Sequence, residues 1–381
     1  MKAKKTILIL CDWFLPGFLA GGPIQSIATL TQNLANDLDF KIITTDRDFN
    51  STKAYDNIII NEWTFYEGRS VFYVSPENLN SKFILKLIQK TPHDTIYLNS
   101  LFSKVFSIYP LNWKKQGKIT SNIVLAPRGM LRDGALAVKP FKKQIFLCYA
   151  KLTGLFKNIH WQSTSADETN EIKKRIYTKV LISEVSNFPV LSNQLRSIDK
   201  QVGVLKLCFI ARIVDIKNLN FAIEILKQIK SEQIIFDVYG PKEDEVYWRL
   251  CEQNAMQLPE NIKFSYKSVL KQSEMSQTIS LYHALFMPTQ TENFGHIIAE
   301  TFQNARLVII SDQTPWRFLE HNKVGFDLPL VNKNQFIQAV IALSQLGQDE
   351  FNRMSRACLI YIQQKLNIEQ IKKQYLKMFE L

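Results

Sequence analysis

The sequence has no paired cysteine motif, no histidines at metal-ligand spacing, no apolar run long enough to cross a bilayer and no low-complexity tract. Its five cysteines, Cys11, Cys148, Cys208, Cys251 and Cys358, are scattered and odd in number. This argues against a disulfide framework or a zinc site and for a reducing compartment. The five histidines, His93, His160, His283, His296 and His321, are equally dispersed, with no Ser-His-Asp arrangement or nucleophile elbow. Only His296, beside Gly295, is placed for contact with a ligand. A membrane-spanning helix needs about 20 consecutive apolar residues. The run Ile7–Leu10 behind the basic start is far shorter, and Asp12 and Pro16 break the apolar character after it. It reads as a first β-strand and not as a signal peptide. The expected protein is soluble or peripheral, with little disorder.

Acidic residues are outnumbered, 35 to 47 basic, which leaves a net charge of +12. Such a balance admits nucleic acid, an anionic lipid surface or an anionic ligand as partner. Aromatic residues sit inside apolar runs and are not interleaved with basic stripes, so no nucleic acid is expected. The basic excess is concentrated in Lys139, Lys142, Lys143, Lys151 and Lys157, along an apolar segment with Phe141, Ile145, Phe146, Leu147 and Leu155. A basic amphipathic helix of this kind is able to lie on a membrane surface.

What the chain does have, from end to end, is alternation. Strand patterns at Ile7–Leu10, Lys41–Thr45, Val71–Val74, Thr95–Leu98, Ile123–Ala126 and Ile159–Gln162 are interleaved with helical spacing at Ile24–Leu34 and Phe83–Ile88. The scheme restarts with strands at Leu205–Ala211, Ile234–Tyr239, Ile262–Tyr266, Leu285–Pro288 and Val308–Ser311. Helices are expected over Leu219–Ile229, Glu243–Asn254, Gln272–Ser280, Ile297–Asn304, Gln335–Leu346 and a long stretch from about Asp349. Repeated β-α alternation predicts mostly parallel sheets covered by helices on both faces. Two series, and a length of 381 residues, predict two doubly wound α/β domains joined within Phe188–Val204. Ligands of such sheets bind beyond the carboxyl ends of the strands, which makes the cleft between the domains the natural site.

Several marked residues fall just after predicted strands. Glu292 and Glu300 bracket Asn293-Phe294-Gly295-His296-Ile297-Ile298-Ala299, with Glu292 on a strand-to-helix loop and Glu300 about one turn into the helix. A helix N-terminus favours anions. Carboxylates beside one make sense if the ligand brings both phosphates and hydroxyls, as a nucleotide sugar does. Arg212 ends a strand and Lys217 precedes the next helix; a planar fork and a point charge together suit a pyrophosphate. In the first half, Gly21-Gly22-Pro23 leads into a helix, where glycines let backbone amides approach a phosphate or sugar. It is neither a GxGxxG fingerprint nor a Walker A loop. Arg128-Gly129-Met130-Leu131 comes after a strand, in a polar loop.

Taken together, Gly21-Gly22-Pro23, Arg212 with Lys217-Asn218, and Glu292-x7-Glu300 resemble the retaining nucleotide-sugar glycosyltransferases of GT-B fold, glycosyltransferase family 4 (glycosyl transferases group 1). The loop Ala126-Pro127-Arg128-Gly129-Met130-Leu131 is similar to one in bacterial members that build lipopolysaccharide, capsule or exopolysaccharide. The resemblance implies two Rossmann-like domains facing each other across a cleft: 1–190 on the acceptor side, 203–365 binding the nucleotide sugar, and a helix over 366–381 packing back toward the first. It implies sugar transfer to a hydroxyl of a glycan or lipid-linked glycan, with retention, in cell-surface polysaccharide biosynthesis. Arg212, Lys217 and the amides around Phe294 and Gly295 would stabilise the leaving phosphate, Glu300 would hold the ribose, Asn293 would join them in binding the donor, and Glu292 would face the donor sugar. Gly21, Gly22, Arg128 and Gly129 would line the phosphate and acceptor side, with Tyr266 and Lys267 at the rim for the base. No metal or other cofactor is expected, and the location expected is cytoplasmic, at the inner membrane face if Lys139, Lys142 and Lys143 touch anionic lipid. A sugar-nucleotide epimerase or a phosphorylase on the same fold, or a non-enzymatic basic membrane-surface or nucleic-acid-binding protein, is the alternative. The chain departs from the family pattern in having Ser186-Asn187-Phe188-Pro189 before the join, Asn218 where a glycine is usual, and Ala305 and Leu307 where Gly and Pro are usual.

Overall fold

The computed structural model describes residues 4–137, 140–176, 179–190 and 196–380. Lys139 and residues 191–195 of the expected join lie outside them. The chain forms two compact units, Met1–Phe188 with Ile368–Leu381, and Pro189–Asn367.

The first unit is built on eight strands: β1 (Lys5–Leu10), β2 (Leu38–Thr45), β3 (Trp63–Tyr66), β4 (Arg69–Val74), β5 (Thr95–Leu98), β6 (Asn122–Leu125), β7 (His160–Ser163) and β8 (Leu181–Glu184). Their order is β3-β4-β2-β1-β5-β6-β7-β8, and only β3 runs antiparallel. Helices α1 (Gly22–Asn33), α2 (Ser81–Lys90), α3 (Tyr109–Lys115), α4 (Asp133–Ala137), α5 (Pro140–Leu152) and α6 (Ala166–Arg175) connect them. The central strands read as continuous apolar runs because both faces are covered: Ile7, Leu8, Ile9 and Leu10 are all fully buried.

The second unit has six parallel strands, β9 (Val204–Ile210), β10 (Gln233–Tyr239), β11 (Ile262–Tyr266), β12 (Ala284–Met287), β13 (Leu307–Ser311) and β14 (Gly325–Leu328), in the order β11-β10-β9-β12-β13-β14. Helices α7 (Leu219–Leu226), α8 (Glu245–Ala255), α9 (Gln272–Ile279), α10 (His296–Gln303), α11 (Lys333–Ser344) and α12 (Gln348–Lys365) accompany them. Order reverses between β9 and β12, the switch point where open α/β sheets bind ligands.

The long helical stretch expected from about Asp349 is two helices, parted at Leu366-Asn367. The last, α13 (Ile368–Glu380), belongs to the first unit. Tyr375 stacks on Phe188 with ring centroids 5.2 Å apart and accepts a hydrogen bond from Gln162 Nε2 at 2.8 Å, while Phe379 meets Tyr97 edge-on.

Candidate functional site

In the second unit the loops after β9, β12 and β13 are stitched into one block. Asn218 Nδ2 donates to the Pro288 carbonyl at 2.9 Å, and Thr289 Oγ1 and the Gln290 amide both donate to the Ile216 carbonyl, at 3.0 and 2.9 Å. The Glu292 amide donates to the Gln313 carbonyl at 3.0 Å, and Trp316 Nε1 to the Phe294 carbonyl at 2.6 Å. The block brings Lys217 and Glu292 together across 75 residues of sequence, Nζ to Oε2 at 2.6 Å, with 16 % and 17 % of their side-chain surface exposed. Burial alone would push the Glu292 carboxyl up. The charge and hydrogen bond of Lys217, the Asn293 amide at 3.1 Å and nearby His296 outweigh it and hold the group below the ordinary carboxylate range.

Gly295 caps α10 in the left-handed region at φ 77°. A Cβ there would sit 2.9 Å from Ile298 Cδ1 and 3.1 Å from Glu292 Cγ, so a side chain would displace the nearby carboxylate. Asn218 and Ala305, which replace the glycines usual in the resembled family, keep left-handed backbone at φ 63° and 56°. Asparagine tolerates that region; alanine bears a cost of about 1 kcal/mol there.

Glu300 stands in the opposite electrostatic setting. It is buried on α10, accepts one hydrogen bond from Gln272 Nε2 at 3.1 Å, and burial pushes its pKa from 4.5 to about 7. The two carboxylates of the motif thus diverge: Glu292 is held ionised, and Glu300 is half protonated near neutrality. A raised acid pKa stabilises the fold below the unfolded value, and that stabilisation is lost as pH climbs through the folded one. We therefore expect wild type to lose stability relative to Glu300→Gln between pH 5 and pH 8, by at most about 3 kcal/mol. Urea unfolding at both pH values measures this, and parallel curves for the two proteins would contradict it.

Arg212 and Lys217, expected as twin cations facing a diphosphate, are held differently. Lys217 is enclosed with Glu292, whereas Arg212 is more exposed and pairs with Glu243 on the loop after β10 at 2.6 Å. Lys267 lies 3.5 Å from Asp237. Tyr266 packs on Trp248, donates its hydroxyl hydrogen to the Gly240 carbonyl at 3.1 Å, and shares the Lys242 ammonium with Trp248 at 4.2 and 4.1 Å. His296 meets the Phe294 ring at 4.7 Å.

In the first unit, Gly21 caps α1 at φ 64°, and the Asp48 carboxylate fixes the preceding loop by accepting from the Phe18 and Leu19 amides at 2.7 and 3.0 Å. Arg128 and Gly129 are both left-handed, at φ 55° and 76°. The Arg128 guanidinium spans a buried network, donating to Asn99 Oδ1 at 2.6 Å, Asn187 Oδ1 at 2.6 Å and the Tyr97 hydroxyl at 2.7 Å. Tyr97 continues to Gln162, which reaches Tyr375 on α13, and Asn99 returns to the Pro23 carbonyl at 3.2 Å. The Gly129 amide donates to the buried Glu168. Arg128 thus ties the Gly21-Gly22 loop, the Asn187 segment and α13 into one frame, a role not expected from its sequence position.

Several partners escaped the sequence: Asn99, Glu168, Glu243, Gln272 and Trp316. Asn99 and Glu243 come just after strands, the one signal available; Glu168 and Gln272 sit within helices and carry none. Among the described residues no three His, Cys, Asp or Glu side chains cluster as metal ligands, and no helix is long and apolar enough to cross a membrane.

Residues 205–345 match the family model described as Glycosyl transferases group 1. Solved structures share the fold over nearly the whole chain. They include Anabaena Alr3699/HepE in complex with UDP and glucose (TM-score 0.71, 11 % identity, 99 % of each chain) and a mutant of S. aureus TarM with Fondaparinux, alpha-GlcNAc-glycerol and UDP (0.71, 13 %, 99 % of this chain and 100 % of that one). Sucrose-phosphate synthase from Thermosynechococcus elongatus is similar at 0.68 and 12 %, over 99 % of this chain and 100 % of that one. No curated protein matches in sequence. The architecture is the two-domain α/β GT-B fold.

Proposed function

We propose that this chain, whose second unit carries a glycosyl transferases group 1 segment, moves a sugar from a nucleotide-sugar donor to a hydroxyl of a glycan or lipid-linked glycan. We further propose retention at the anomeric carbon, a place in cell-surface polysaccharide biosynthesis, and a cytoplasmic location. The observation that carries this reading is the Lys217–Glu292 pair, fixed at the sheet's switch point beside the Gly295 cap of α10.

The pair suits a reaction in which opposite charges develop side by side. As the bond from the anomeric carbon to the phosphate oxygen breaks, negative charge grows on the leaving diphosphate and positive charge on the sugar. Lys217, Arg212 and the amides at Phe294 and Gly295 meet the first. Glu292, kept ionised by Lys217, meets the second through electrostatics and hydroxyl contacts, without forming a bond. Preorganised charge of this kind needs no reorientation during the reaction and is usually the largest catalytic contribution. The departing phosphate oxygen takes the proton of the acceptor hydroxyl, so no separate base is required, and the two cations serve in place of a metal. Glu300 accepts hydrogen bonds from the ribose hydroxyls, with Tyr266 and Lys267 near the base. Gly21, Gly22, Arg128 and Gly129 serve the phosphate and acceptor side, Arg128 by holding that loop in position.

UDP in the Anabaena and S. aureus complexes makes uracil the first base to test. In a thermal-shift panel of UDP-, GDP-, ADP-, TDP- and CMP-linked compounds, UDP compounds are expected to raise the melting temperature most, since a ligand of the folded state alone stabilises it. Arg212→Ala and Glu300→Ala should each weaken donor binding by about tenfold or more. Unchanged affinity in both variants, each folded, would sink the assignment.

A further inference from the structure

Helix α5 has two apolar faces. One is turned inward: Leu147 and Ala150 are buried in the core of the first unit, and Phe146 meets Phe102 and Phe156 at ring distances of 5.7 and 6.2 Å. A helix packed this way ordinarily shows a polar opposite face. In α5 that face carries Phe141, Ile145, Tyr149 and Leu152, which are 74, 53, 45 and 83 % exposed. Spaced at i, i+4, i+8 and i+11, they line up over about 16 Å of helix.

The borders of the outward stripe are basic. At helical pitch Lys142 falls on one side of it and Lys151 on the other, and both are exposed. Lys143 does not join them: its Nζ donates to the Ala135 carbonyl at 2.5 Å and lies over the Phe102 ring at 5.4 Å. No acidic residue occurs between Gly134 and Ala166.

We propose that the outward face of α5 docks on an anionic lipid bilayer. The helix lies in the surface plane with Phe141, Ile145, Tyr149 and Leu152 at the boundary between headgroups and acyl chains. Lys142 and Lys151 reach sideways to the lipid phosphates while their stems run along the apolar stripe. The charge favours this occupant over a second copy of the chain, because pairing two such stripes would set lysine borders against each other. The inference is independent of which donor or acceptor the protein uses.

The test is sedimentation of the 381-residue chain with phosphatidylcholine vesicles, with and without about one third phosphatidylglycerol. Binding to the anionic vesicles alone, weakened by salt, is expected. Phe141→Ser with Leu152→Ser should lower partitioning about tenfold or more. Lys142→Gln with Lys151→Gln should lower it by about tenfold and erase the preference for anionic lipid. Phe65→Ser, at a residue 81 % exposed on β3, should change nothing. The four substituted side chains of α5 are exposed, so melting temperatures should match wild type. No binding, equal binding to neutral vesicles, wild-type binding by either double variant, or a vesicle-free dimer dissolved by the stripe variant would overturn the proposal.

Discussion

Replacing Lys217 by methionine is expected to lower turnover of the nucleotide sugar by roughly a thousandfold. Two losses combine. In the proposed reaction the leaving diphosphate is deprived of a fixed positive charge just beyond β9, and Glu292 is left in a largely buried setting without the ammonium 2.6 Å away that keeps it ionised. Removing one partner of a buried pair costs about 3–5 kcal/mol, mostly through the uncompensated charge that remains. The stability deficit and the activity deficit are separable. Adding Glu292→Gln to Lys217→Met should restore most of the stability, because no buried charge is then left alone, and should leave turnover low, because the sugar-facing charge is now missing too. Single-turnover kinetics and urea unfolding on the two single variants and the double variant provide the comparison. If Lys217→Met keeps turnover within about tenfold of wild type while folded, the ammonium does not serve the transition state. Arg212→Ala should be milder in stability, since that side chain is more exposed and exposed ion pairs contribute little.

Gly240→Ala should be the most destabilising single change in the second unit's loops. At φ 134° the backbone occupies a region essentially restricted to glycine, and an added Cβ would lie 1.8 Å from the Ala211 carbonyl oxygen. That oxygen directly follows β9, immediately before Arg212, and Gly240 directly follows β10, before Glu243, so relief of the clash would part the strand ends that present this ion pair. We expect a loss of about 4 kcal/mol or more, seen as a melting temperature lowered by about 10 °C or more. Gly21→Ala is the matched comparison. Its φ of 64° with ψ of −118° is also disfavoured for an L side chain, but a Cβ would meet nothing within 4 Å, so only a conformational cost of about 1–3 kcal/mol applies. Equal melting temperatures for the two variants would refute the steric account.

The sequence made much of this legible, and the reasons it failed elsewhere are physical. Strands buried on both faces, such as β1, β5 and β12, announce themselves as apolar runs whatever their neighbours. Strands β3, β8 and β14 were not expected. Trp63–Tyr66 is an exposed edge, Leu181–Glu184 mixes polar and apolar residues, and Gly325–Leu328 is short and begins with glycine, so each depends on its partner strand for its structure. Parallel topology delivers the loops that leave the strands to one end of each sheet, which is why Glu292, Lys217 and Arg128 were findable. The partners of Arg212, Glu300 and Arg128 were not, because Glu243, Gln272 and Asn187 are brought in from 28 to 59 positions away by the fold. The departures at Asn218 and Ala305 looked like lost glycines, yet both residues keep the left-handed backbone.

Because α13 supplies Tyr375 and Phe379 to the interior of the first unit, that unit is discontinuous in the chain. Its strands leave the ribosome first, but its interior stays unfinished until α13 is translated. The second unit, contiguous from Pro189 to Asn367, has all its parts earlier. Order of synthesis and order of completion are inverted: the half made first is the half completed second, and a nascent chain stalled before Ile368 would present an open hydrophobic seam to whatever chaperone attends it.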